Sequence, residues 1–387
     1  MWKFFPFFPL FLFAGWAEQT LSEMTLEEKV GQLLVAPGCS LRDVDHWEDW
    51  VHLMAECRIG NVLAKQGDPE SQVRFLHFMQ GLSKYPLLVA ADYEWGLAMM
   101  MKTETPFPKS KVLGQIGDLD LIFETGREIA RQARLVGVHL DLAPVADVNN
   151  NPDNPIIGVR SFGDDPEQVA ECVSSCLRGI QSMGIYACAK HFPGHGDTNI
   201  DSHKDLPLIP HNLKRLQQVE FVPFQKAIQD GVKAIMIGHL LVPALDPYFP
   251  APLSSACLVY LREVLGFKGL IVSDALNMKA LTKLYSVEQI ALLAREAGCD
   301  LLLYGAHLLP DVDDLMKNQV PRAYRALLDA YREGLLDLAE LDESVLRILH
   351  AKEEQGLHLS REIPQGVLHT QEGLDLQKKL FALSPTP

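Results

Sequence analysis

Eight short runs of apolar and β-branched residues recur along the chain, and no other feature limits the possible folds as tightly. They are QLLVAP (32–37), IGNVLA (59–64), LLVAAD (87–92), VHLDLAP (138–144), IYACAK (185–190), AIMIGH (234–239), GLIVSD (269–274) and DLLLYG (300–305). Stretches with helical periodicity fill most of the intervals, at 41–56, 69–83, 119–135, 166–183, 212–230, 255–265 and 286–298. A strand that is apolar along its whole length has both faces buried, so its sheet is parallel and covered by helices. Eight such units between residues 32 and 305 predict an α/β chain closed into a (β/α)8 barrel of the TIM type rather than an open doubly wound sheet. At 387 residues the chain has room for two ordinary domains, but no Pro/Gly/Ser-rich linker breaks the alternation. The expected organisation is a single barrel with flanking helices over 18–355, including helical segments at 322–337 and 339–356, and a C-terminal tail at 356–387.

The chain opens with MWKFFPFFPLFLFAGWA, one lysine ahead of a Phe/Leu run that finishes in small residues, which reads as a signal peptide over 1–17. The apolar stretch from Phe4 to Phe13 is about half the length that a membrane-spanning helix needs, and no comparable run follows, so no integral membrane segment is expected. Export to a periplasmic or secreted location follows, with a cytoplasmic location as the alternative. Seven scattered cysteines form no disulfide framework; Cys172 and Cys176, one helical turn apart, read as packing residues rather than a metal pair. The 50 acidic and 35 basic residues give a formal charge of −15, which disfavours a nucleic-acid partner and leaves neutral, small or cationic ones. A monomer is expected.

Catalytic groups of such barrels gather at the carboxyl ends of the strands. Here those ends are polar in succession: Asp92 and Glu94 after the third run, Lys190 and His191 at the fifth, His239 after the sixth and Asp274 after the seventh. The fourth leads into a loop with Asp147, Asn149, Asn150 and then Arg160. A strand-end aspartate alone often caps the next helix; that so many polar residues converge on one mouth points to a site. The densest stretch, AKHFPGHGDTNIDSH from Ala189 to His203, holds three histidines and two aspartates. Imidazole and carboxylate are metal ligands, but the Pro-Gly and His-Gly turns make this an irregular loop without a regular ligand spacing. In Asp201-Ser202-His203 a carboxylate two residues from an imidazole can orient it and raise its basicity, giving a proton donor near neutral pH. No metal or cofactor is expected.

KHFPGHG at 190–196 and DSH at 201–203 resemble the loop of glycoside hydrolase family 3, in its β-N-acetylglucosaminidase branch. DYEWG (92–96), DLAPVADV (141–148), RSFG (160–163) and SDALNM (273–278) follow the family's order, so the resemblance covers nearly the whole chain after the leader. It implies a retaining, exo-acting enzyme that removes terminal β-linked N-acetylglucosamine, with cell-wall muropeptide fragments as the usual substrates. By the resemblance, Asp274 is the nucleophile and His203, oriented by Asp201, is the acid/base. Asp92, Arg160, Lys190 and His191 match positions that bind the sugar hydroxyls, with the two cations neutralised by Asp92 and Asp274, and His239 shapes the pocket. Gly194 and Gly196 are expected to let the loop close over substrate.

One position departs from the family pattern: the arginine that normally lies eight residues beyond the aspartate is Met100 here, with Lys102 nearby as a replacement. Family relatives that act as β-glucosidases or β-xylosidases commonly carry a further sandwich domain supplying a carboxylic acid/base; the length of this chain leaves no room for one, and the proton donor is expected from the barrel's own loop. Three other readings stay open: β-glucosidase chemistry on the same fold, a sugar-binding protein with impaired turnover, and a metal hydrolase.

Overall fold

The computed structural model describes residues 15–385 apart from His203 and residues 306–310. The first fourteen residues of the expected leader therefore lie outside the described part; Trp16 and Ala17, at its end, open a helix, Trp16–Glu23, whose first backbone N–H donates to Glu353 at 2.7 Å.

Eight parallel strands form one sheet: β1 (Leu34–Cys39), β2 (Asn61–Lys65), β3 (Leu88–Ala91), β4 (Leu140–Asp141), β5 (Tyr186–Phe192), β6 (Ala234–Ile237), β7 (Leu270–Ser273) and β8 (Leu302–Leu303). Neighbours in sequence are neighbours in the ring, β1 pairs with β8, and a bridge between Val272 and Leu301 joins β7 to β8 and closes the barrel. Each of the eight apolar runs supplies one strand. Every strand residue is buried, because side chains alternate between the barrel interior and the helical layer outside.

The helices fall where periodicity places them, and helix Leu119–Leu135 has the bounds read from sequence. Asp68, Asp118, Asp165 and Ser286 cap the helices that follow them by accepting first-turn N–H groups. One difference concerns 212–230, read as one helix and found as two, Leu213–Gln218 and Val222–Gln229. Pro223 lies in the first turn of the second; it lacks an N–H and would clash with a carbonyl one turn earlier, so the helix restarts around it.

Helix Leu338–Glu354 packs against Trp16–Glu23 and closes the bottom of the barrel. Its buried Lys352 donates to the Gln32 side chain and to the Gly60 carbonyl. Beyond it the tail forms helix Gln371–Leu383 against Leu119–Leu135, held by Arg131, which donates to the carbonyls of Val367 (2.8 Å) and Leu368 (2.6 Å). Among the described residues, no helix is long and apolar enough to cross a membrane.

Candidate active site

A narrow cleft opens at the carboxyl ends of the strands. Asp92, Arg160, Lys190, His191 and Asp274 all line it, so five of the residues singled out in the sequence meet there. They arrive from different elements: Asp92 follows β3, Lys190 and His191 lie within β5, Arg160 ends the single-turn helix Gly158–Arg160, and Asp274 follows β7. The ladder carries Asp274 into place, since its N–H donates to the Ile237 carbonyl of β6 at 2.9 Å.

The cations are paired differently from expectation. Lys190 Nζ donates to Asp92 Oδ1 at 2.9 Å and lies 2.8 Å from Glu94 Oε1. Arg160 grips Glu94 with both arms, Nε to Oε2 at 2.9 Å and Nη2 to Oε1 at 2.7 Å. Glu94, and not Asp274, is thus the shared counter-ion of both cations; its side chain is only 1% exposed. Burial alone would raise its pKa, but Arg160 and then Lys190 outweigh that and hold it well below the ordinary carboxylate range. Lys190 is likewise held protonated: burial opposes its charge, and Asp92 and Glu94 overcome it. The sequence marked Glu94 as a polar strand end without giving it a task; two buried cations converging from two other elements revealed the task.

A second layer orients the ring of His191. Asp147 accepts from His191 Nδ1 at 2.8 Å and also from the His195 N–H at 2.7 Å. His191 Nε2 is then the acceptor facing Arg160 Nη2 at 3.4 Å, because a guanidinium has only donors. His195 contacts Thr198 Oγ1 through Nδ1 at 2.9 Å and Ser202 Oγ through Nε2 at 3.3 Å, and burial pulls its pKa down to about 4. Both histidines are therefore tied to protein groups, as suits a built hydrogen-bond scaffold. Two clusters with ligand-like proximity occur among the described residues, Glu18/His350/Glu353 and Asp197/His211/Glu220, and neither includes a cleft-lining residue.

Asp274 sits alone among cationic and polar neighbours. Burial would raise its pKa, yet His239, His191, the Ala275 N–H at 2.7 Å and Lys190 bring it down to about 2. His239 Nε2 donates to the Ala275 carbonyl at 2.9 Å, which fixes the ring beside the aspartate. Beneath the site, Asp141 of β4 accepts the Tyr93 N–H at 3.1 Å, and burial raises its pKa to about 7.

The loop after β5 carries Asp201, part-buried, and Ser202, which lines the cleft. His203 lies outside the described residues. The two loop glycines serve geometry and close packing: Gly194 has φ +127°, and a Cβ on Gly196 would stand 1.7 Å from the Val148 carbonyl oxygen. Met100 is buried and Lys102 is exposed and does not line the cleft, so Lys102 does not take the arginine's place.

Comparison with known proteins places the chain in a family. Residues 25–351 match the model of the glycosyl hydrolase family 3 N-terminal domain. The chain is 29% identical to a β-N-acetylglucosaminidase/β-glucosidase of Cellulomonas fimi, covering 90% of this chain and 61% of that protein. It is 32% identical to β-hexosaminidase LpqI of Mycobacterium tuberculosis, covering 69% and 68%. Among solved structures, a family 3 β-N-acetylglucosaminidase from Paenibacillus sp. superposes with a TM-score of 0.85 at 35% identity, over 93% of this chain and 69% of that one. The chain thus spans about three fifths to two thirds of the length of these relatives.

Proposed function

Because the chain belongs to glycosyl hydrolase family 3 through its barrel domain, we propose that it is a retaining exo-β-N-acetylglucosaminidase acting on terminal β-linked N-acetylglucosamine, with cell-wall muropeptide fragments as substrates. The observation that carries the reading is Asp274: a strand-end carboxylate kept ionised inside a cleft where Lys190 and Arg160 are paired with Asp92 and Glu94. Among the described residues the Asp274 carboxylate accepts one hydrogen bond, from the Ala275 N–H, and it retains lone pairs for the anomeric carbon. Its attack forms a covalent glycosyl-enzyme and expels the aglycone oxygen. Asp201 and His203 supply the proton to that oxygen and later take one from water. Asp92, Lys190, Arg160 and His191 offer acceptors and donors to the sugar hydroxyls, each of which loses about 1–3 kcal/mol if buried unpaired. Their mutual ion pairs hold these donors in position before the sugar arrives, so little ordering remains to be done on binding.

The name of the Cellulomonas relative joins two activities, which keeps β-glucosidase chemistry as the second reading. Turnover of aryl β-N-acetylglucosaminide and aryl β-glucoside side by side, with a trapped glycosyl-enzyme mapped to its residue, decides between them. Label on Asp274 and preference for the acetamido sugar support the proposal; hydrolysis of the glucoside alone would reverse the order, and label elsewhere would remove Asp274 from its role.

A further inference from the structure

Lys65 ends β2 at the same mouth and has no part in the network described above. It was not singled out in the sequence because the apolar run 59–64 stops one residue short of it. Strand register places it: Ala64 pairs with Ala91 of β3, so one residue further Lys65 stands beside Asp92, and on its other side it pairs with Cys39 of β1. Strand alternation gives its direction. Leu63 lines the cleft, and Lys65, two residues on, projects from the same face of β2 one level nearer the mouth. The residue is 5% exposed. The charges that act on it are those of the cleft, Asp92 first and then Lys190 and Asp274, the last on the far side of the barrel.

Lys190 and Arg160 each already hold a carboxylate, whereas the Lys65 ammonium makes no hydrogen bond or ion pair among the described residues. A buried ammonium without a partner is costly unless something that enters the site completes it. An ammonium has three donors and no acceptor, so its partner must present oxygen lone pairs. With Asp92 alongside as acceptor, the pair suits a hydroxyl, which accepts from one and donates to the other.

We propose that Lys65 is a substrate-binding residue of the terminal sugar site, donating to a ring hydroxyl that Asp92 also engages. This rests on the glycosidase reading, and the assay uses whichever of the two aryl glycosides the wild-type chain turns over, so that failure of the reading shows in the wild type and failure of the Lys65 role shows only in the variant. Lys65→Met keeps the length of the side chain and removes the charge. The expected result is a loss in kcat/KM of about 10- to 100-fold, as for one charge-assisted hydrogen bond, with a melting temperature equal to or above that of the wild type. Substrates lacking one hydroxyl at a time provide the decisive comparison: for one of them the gap between wild type and variant closes, because the hydroxyl that Lys65 holds is gone, while both lose the Asp92 contact alike. A residue that merely supports the fold would lower the melting temperature and reduce activity on all these substrates by one factor. That pattern, or a variant within twofold of the wild type, overturns the proposal. Lys65→Gln, which retains a donor, should fall between the two and provides the same comparison if the methionine variant does not fold.

Discussion

Glu94 offers the most exacting test of how the cleft is held together. Replacing it with glutamine keeps the size of the side chain and removes the charge shared by Lys190 and Arg160. Among the described residues Asp92 then remains as the one carboxylate in contact with Lys190, and Arg160 loses a bidentate partner. Breaking a buried ion pair by removing one member costs about 3–5 kcal/mol. For a chain of 387 residues the unfolding entropy is about 0.8 kcal/mol/K, so the melting temperature should fall by about 4–6 °C. The dependence on pH gives a second signature. The folded-state pKa of Glu94 is depressed, so its contribution is present in full above the unfolded value of about 4.3 and is lost as pH falls below that, toward the folded value. The gap between wild type and Glu94→Gln should therefore be wide at pH 7 and narrow below pH ~4. Calorimetry at several pH values together with KM for an aryl glycoside reads both effects. An unchanged melting temperature with unchanged KM would refute the view that Glu94 anchors the two cations; a drop that persists undiminished at low pH would show that shape rather than charge is at stake.

Asp274→Ala should abolish hydrolysis while leaving the circular dichroism spectrum intact, and because Asp274 in the wild type is held at about 2, any acid limb of kcat/KM above pH ~4 must belong to another group; a limb there that is traced to Asp274 would contradict its described surroundings. His203→Ala should slow hydrolysis severely for alkyl or sugar aglycones and much less for activated aryl ones, which leave with little need of a proton; equal losses on both would count against an acid role. At the opposite end of the barrel, burial lowers the pKa of Lys352 to about 7. Between that value and its unfolded one the unfolded chain binds the extra proton, so stability rises with pH over this range, by an amount of order 5 kcal/mol, and falls as pH drops toward 7. In Lys352→Met this slope should be absent, and its persistence in thermal melts at pH 7 and 9 would place its origin in another group.

The barrel was legible because burial on both faces leaves a mark at every strand position. All eight runs became strands, although β4 and β8 pair over only two residues each, since the ladder bonds depend on how closely neighbours approach and not on apolar content. The break at Val219–Phe221 was obscured because Pro223 satisfies the helical pattern of its neighbours while interrupting the backbone bonds. Asp92, Arg160, Lys190, His191 and Asp274 were legible as charged or polar residues at the ends of apolar strands, the places where the fold brings side chains to one mouth.

Which of those groups answers which was not legible. Glu94 bridging Lys190 and Arg160, Asp147 turning His191, and Lys65 entering from β2 beside Asp92 all join residues at least 27 positions apart in the chain. Sequence determined that this chain closes into a barrel and which chemical groups gather at its rim, since both follow from local pattern and strand order. The tertiary structure alone decided the partners of each charge, because ion pairing falls off over a few ångströms and depends on the strand register and loop course that bring distant segments together.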